Sequence, residues 1–136
     1  MTPALRIPVI SLHGALIVSI QVSLSDVLVE QLKDDVALGL ERGDMRGLAI
    51  DLSGVDLLDS YLSRALRDLA LIASVMGVPT VICGMDPATA VTLVEMGLDL
   101  GRLRTALDLE SALDDLAGAP SSFPPPVTEA PGWTLN

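Results

Sequence analysis

Gly47-Leu-Ala-Ile-Asp-Leu-Ser-Gly-Val-Asp-Leu-Leu-Asp-Ser-Tyr61 decides how this chain folds. Leu48 to Leu52 is a short apolar run that reads as a buried strand, and Ser53-Gly54 breaks it. Asp56, Asp59 and Ser60 then stand just before a long helical pattern that begins near Tyr61. Leu62, Ala65, Leu66, Leu69, Ile72, Ala73 and Met76 form the expected buried stripe. Ser63, Arg64, Arg67, Asp68 and Ser74 are expected to face away, with Leu71 and Val75 beside the stripe. Met76-Gly77 ends the helix, and Pro79 cannot continue it. Thr80 to Cys83 is a second buried strand. Strand, helix, strand is a βαβ unit, so the two strands should be parallel with a right-handed crossover. The acidic turn then lies at the carboxyl end of the strands, where ligands and partners act in open parallel sheets.

Working outward toward the N-terminus, Leu5 to Ile10 and Ala15 to Gln21 are β-like runs separated by Leu12-His13-Gly14, a hairpin pattern. Ser25-Asp26 starts a helix with a capping side chain and an acid in its first turn. Leu28, Leu32, Val36 and Leu40 recur at helical spacing, and Arg42-Gly43 gives a favourable stop. Toward the C-terminus, Asp86-Pro87 opens a third helix, with Ala88, Val91, Val94 and Leu98 as its apolar side and Gly97 at its end. Arg104-Thr105-Ala106 is a short last strand, and Asp108 caps a final helix ending near Leu116. The expected class is α/β, a mixed, mostly parallel sheet of about five strands with about four helices against it. From Gly118 the composition changes: five of the nine prolines lie at 120, 124, 125, 126 and 131. Residues 1–117 therefore read as one domain, and 118–136 as a Pro-rich flexible tail in which Phe123 and Trp133 could anchor a partner.

Length and composition narrow the function. With 136 residues the chain holds a single core. Half of the residues are hydrophobic, yet only Tyr61, Phe123 and Trp133 are aromatic, so that core is aliphatic. The apolar excess favours protein contacts or self-association. The formal net charge is −10, from 8 Lys and Arg against 18 Asp and Glu. No basic patch suits nucleic acid or an anionic membrane, and basic protein surfaces are the better partners. The run from Leu69 to Met85 is uncharged but is broken by Gly77-Val78-Pro79, so it reads as a helix running into a strand rather than a membrane span. The N-terminus lacks a signal-peptide pattern, and a cytoplasmic location is expected.

Most catalytic chemistry lacks its residues. No glycine-rich phosphate loop is followed by Lys-Ser or Lys-Thr, and no G-x-G-x-x-G follows a strand. One histidine, His13, and one cysteine, Cys83, supply neither a zinc site nor a Cys–His pair. Cys83 lies in an apolar run and reads as a buried structural thiol. Asp51, Asp56 and Asp59 could in principle hold Mg²⁺, as in a receiver domain phosphorylated on aspartate. A receiver's first strand should end in an acidic pair, and a lysine should follow a later strand. Ile20-Gln21-Val22 and Gly84-Met85-Asp86 supply neither. No catalytic residue, metal or cofactor is expected.

Ser60 admits two readings on its own. Its hydroxyl can cap the helix that follows, a routine structural task. Equally, a helix N-terminus tolerates a phosphate, and phosphorylation would add about 1.5 to 2 negative charges beside Asp56 and Asp59. Tyr61, next in the chain, is either a contact anchor or a packing residue.

A family resemblance bears on that choice. The chain resembles a STAS domain, the fold of anti-sigma-factor antagonists and stressosome scaffolds, and within it the small RsbS-type scaffold subunit. The resemblance covers about Leu5 to Leu116. It rests on Leu16-Ile-Val-Ser-Ile-Gln21, Ile50-Asp-Leu-Ser-Gly-Val-Asp-Leu-Leu-Asp-Ser60, Pro87-Ala-Thr-Ala-Val-Thr-Leu-Val-Glu-Met-Gly97 and Thr105-Ala-Leu-Asp-Leu-Glu110. It implies Ser60 as phosphoacceptor, with Asp56, Asp59, Tyr61, Ser63 and Arg64 as the surrounding partner-binding surface. It further implies co-assembly with a larger RsbR-type STAS paralogue, capture of an RsbT-type serine/threonine switch kinase, release of that kinase on Ser60 phosphorylation, and reset by a phosphatase. Many anti-sigma antagonists carry Gly two residues after the phosphoserine, where this chain has Leu62. That departure favours the scaffold subunit over a single-domain antagonist that binds an anti-sigma kinase directly.

Overall fold

A computed structural model describes residues 6–55, 59–98 and 103–118. Its elements follow in chain order: β1 (Val9–Leu12), β2 (Ala15–Ser19), α1 (Asp26–Glu41), β3 (Gly47–Asp51), α2 (Ser60–Val75), β4 (Thr80–Cys83), α3 (Pro87–Glu95), β5 (Arg104–Ala106) and α4 (Leu109–Ala117). The five strands lie side by side in sequence order. β1 pairs antiparallel with β2, and β2 through β5 are parallel. The expected mixed, mostly parallel sheet with four helices is what forms among the described residues. A receiver's strand order would be 2-1-3-4-5, so that rival fails on topology.

The hairpin is shifted from its expected position. Leu12 is the last residue of β1, paired with Ala15, rather than part of the turn. The turn is the two residues His13 (φ 52°) and Gly14 (φ 79°). Positive φ at both places is the turn geometry whose twist matches paired strands. Leu5, expected to open β1, lies outside the described residues.

Three crossovers, β2-α1-β3, β3-α2-β4 and β4-α3-β5, step across the sheet in the same direction. Right-handedness then puts α1, α2 and α3 on one face. The alternating strand side chains agree. Leu16, Val18, Leu48, Ile50 and Ile82 join Leu32 and Val36 of α1, Leu66 and Leu69 of α2 and Leu93 of α3 in one buried cluster. Their neighbours Ala15, Ile17, Ala49, Val81 and Cys83 pack on the opposite face against Ala112 and Leu116 of α4. Small residues let α4 close on that face. A Cβ on Gly47 would overlap the Leu116 side chain and meet the Pro79 carbonyl oxygen at 3.0 Å.

α1 matches its expected bounds. Ser25 caps it by accepting from the Leu28 amide, and Leu28, Leu32, Val36 and Leu40 are buried. Two expectations for buried faces fail. Met76 follows α2 as its C-cap and is exposed. In α3 the buried residue is Leu93, with Leu98 just beyond, whereas Ala88 is exposed and Val91 and Val94 are each 57% exposed. Nine residues apolar on several sides do not fix which side turns inward. No helix among the described residues is long and apolar enough to cross a membrane.

Candidate functional site

The site is the turn after β3 and the first two turns of α2. Asp51 ends the strand, and its carboxylate accepts from the Ser53 amide at 3.0 Å, folding the chain back. Gly84, after β4, packs into that turn at φ +78°, where a Cβ would lie 2.6 Å from Asp51 Oδ1 and 2.7 Å from the Ser53 amide nitrogen. Asp51 therefore serves the turn. Asp56 lies outside the described residues, and among the described residues no three His, Cys, Asp or Glu side chains could share a metal ion.

The helix start is one residue from where the sequence reading puts it. Asp59, not Ser60, is the N-cap: it is extended (φ −126°, ψ 179°), and its Oδ1 accepts from the Leu62 amide at 2.9 Å. Ser60 is the first helical residue and is exposed. Its hydroxyl is thus released from the capping task and displayed at the carboxyl end of the sheet.

Around it stand the other predicted residues. Tyr61 is 41% exposed, and its hydroxyl donates to Asp26 Oδ1 at 3.0 Å. That bond, the first cause of a raised Tyr61 pKa, ties the start of α2 to the start of α1. Arg64 is exposed. Ser63, expected to face away, is instead buried at 8% exposure, and Met96, Gly97 and Leu98 after α3 line the same groove. Ser60, Ser63, Arg64 and Arg67 line one groove with those three residues. Arg67 and the α3 turn escaped the sequence reading as site residues. Their signal was available for Arg67, which is seven residues after Ser60 and so on its side of the helix. The contribution of Met96 to Leu98 depends on tertiary packing.

The remaining reactive groups stand apart. Cys83 is fully buried, its thiol donates to the Ile50 carbonyl at 3.6 Å, and burial, then Asp51 and Asp108, push its pKa up to about 12. It is a structural thiol, protonated at neutral pH. His13 occupies the far turn between β1 and β2.

Known proteins share this architecture. A serine-to-glutamate variant of RsbS from Moorella thermoacetica superposes with a TM-score of 0.73 at 34% identity, over 81% of this chain and 93% of that one. A chain of the stressosome, described as a signal integration and transduction hub, gives 0.74 at 37% identity, over 80% of this chain and 95% of that one. The RsbT co-antagonist protein RsbRD of Bacillus subtilis is 32% identical over 66 residues, 48% of this chain but only 24% of RsbRD. That match spans about a quarter of the relative's length. The STAS domain model matches residues 6–112, from before β1 into α4. On that match, which spans the sheet, the first three helices and the Ser60 turn, the chain belongs to the STAS domain family.

Proposed function

We propose that this protein is a stressosome scaffold and partner-switching regulator, a binding module rather than an enzyme. The observation that carries the reading is the Ser60 hydroxyl, exposed on the first residue of α2 and relieved of capping by Asp59. The likeness to RsbS and to a stressosome chain at 34–37% identity supports it. The unphosphorylated chain assembles with an RsbR-type STAS paralogue and with further copies of itself, and the assembly holds an RsbT-type serine/threonine kinase in the cytoplasm. The kinase transfers the γ-phosphoryl group of ATP to Ser60 Oγ, ADP departs, and the serine proton goes to a kinase base. The new dianion at the contact surface ejects the kinase, and a phosphatase restores the serine. Asp59, Tyr61, Ser63 and Arg64 shape that surface; Asp56 belongs to the same proposal. Residues 1–117 form the working unit, with 118–136 an appendage to it.

Incubation with the candidate kinase and ATP should label the chain on Ser60, and Ser60→Ala should abolish the label. Label that persists on another residue would sink the assignment. A single-domain antagonist binding one anti-sigma kinase is the second reading. The anti-sigma-factor antagonist SpoIIAA matches at 12% identity, which supports the fold alone. Size measurement separates the two, since a large complex with the paralogue belongs only to the scaffold.

A further inference from the structure

Ser60, Ser63, Arg64 and Arg67 share one side of α2 and one groove. Ser63 lies more than nine-tenths buried in its wall. Its amide donates to the Asp59 carbonyl at 3.1 Å, and the residue lines the groove beside the two arginines. Arg67 Nε stands 3.7 Å from the carboxylate of its neighbour Asp68, too far for a hydrogen bond, and its side chain is 61% exposed. Arg64 is exposed one turn from Ser60. A chain with only 8 basic residues against 18 acids thus sets two of its cations in this groove.

We infer that the groove is an intramolecular receptor for the phosphoryl group of phosphorylated Ser60. Arg64 donates to the phosphate oxygens from position i+4, the Ser63 hydroxyl donates from i+3, and Arg67 supplies a second positive charge. An anion placed N-terminal to a cation at this spacing has the favourable orientation, and the helix start favours negative charge. Asp59 opposes the dianion. The groove-lining residues of the α3 side, Met96, Gly97 and Leu98, are uncharged; Asp68 beside Arg67, Asp26 bonded to Tyr61, and Glu95 before Met96 are the other charges near the groove, and like Asp59 they oppose the dianion. The consequence deepens the proposed switch and rests on it: phosphorylation adds negative charge and also withdraws Arg64 and Arg67 from the carboxylates of a partner.

The test uses the full chain with phosphoserine incorporated at position 60 by genetic-code expansion, followed by phosphorus NMR over a pH titration. The second phosphate pKa should lie about half a unit or more below the ordinary value near 6. Arg64→Ala should return most of that shift and Arg67→Ala a smaller part. Arg42→Ala, at the far end of α1, should return none. Arginine side-chain N–H signals of Arg64 should move as the phosphate ionises. Identical titrations for the parent and for both groove variants would overturn the receptor. Because the phosphate is installed during synthesis, this result stands apart from whether any kinase recognises Ser60.

Discussion

The starts of α2 and α4 are built alike at the same edge of the sheet. Asp59 and Asp108 are both extended N-caps, and their carboxylates accept the amide three residues on at 2.9 and 2.8 Å. After Asp59 come an exposed serine, a buried serine three residues later and an arginine four residues later. After Asp108 come Leu109, an acid at Glu110, and Leu113 where α2 has Arg64. α2 runs 16 residues with a deep buried stripe, whereas α4 has nine residues and buries Ala112 and Leu116. Cap and dipole are therefore common property of both helices. What sets α2 apart is a free hydroxyl with cations one and two turns along, on a helix anchored firmly enough to hold them in place.

That anchoring is open to the heaviest blow. Leu66 is fully buried in the large cluster beneath α2, and Leu116 is nearly so beneath α4. Leu66→Ala should cost toward the upper part of the roughly 2–5 kcal/mol typical of such truncations. Leu116→Ala should fall toward the lower part, because the last turn of the chain's final described helix can settle into the space. Chemical denaturation of both variants gives the comparison. A loss at Leu116 equal to or above that at Leu66 would break the claim that α2 is the better anchored helix.

The caps of α4 and α3 also predict how acid acts. Hydrogen bonds from Ser111, chiefly its backbone amide, hold the Asp108 carboxyl below its ordinary pKa, and those from Thr89 do the same for Asp86. A carboxyl depressed in the folded state stabilises fully above its unfolded pKa, near 3.9. That contribution fades as pH falls through and below this value toward the folded pKa. Asn caps a helix about as well as Asp and does not titrate. Asp108→Asn should therefore lose stability less steeply than the parent on acidification below about pH 4, as read by thermal unfolding across that range. Parallel curves would mean that the α4 cap contributes nothing to acid sensitivity.

Much of this was legible in the residues, and the misses have definite causes. The βαβ unit, the Ser25, Asp86 and Asp108 caps and the stripe of α1 follow from period and capping chemistry, which are local. Asp59 and Ser60 are adjacent residues that both make good caps, and sequence alone does not say which one reaches the Leu62 amide. That one-residue choice decides whether the serine hydroxyl is consumed or free. Ser63 looked outward on a helical wheel because the wheel does not know that the chain beyond α3, Met96 to Leu98, shares a groove with that side of α2. Val91 and Val94 looked inward because α3 offers apolar residues on more than one side.

The mildest substitution makes the sharpest comparison. Ser60→Asp puts a negative charge at the first residue of α2, where the helix dipole favours it by about 0.3–1 kcal/mol and the adjacent Asp59 opposes it. Stability should barely move, because the side chain is exposed and makes no cap. Leu109→Asp places the same charge at the matching position of α4 and gives up the partial burial of Leu109. If charge at any helix start on this edge repels the kinase, both variants weaken binding alike in a titration with purified kinase. The proposed switch predicts the other result: Ser60→Asp weakens binding while keeping the parent's melting temperature, and Leu109→Asp melts somewhat earlier yet binds as the parent does. A large drop in melting temperature for Ser60→Asp would return the serine to a structural role, since the loss of contact would then need no switch to explain it.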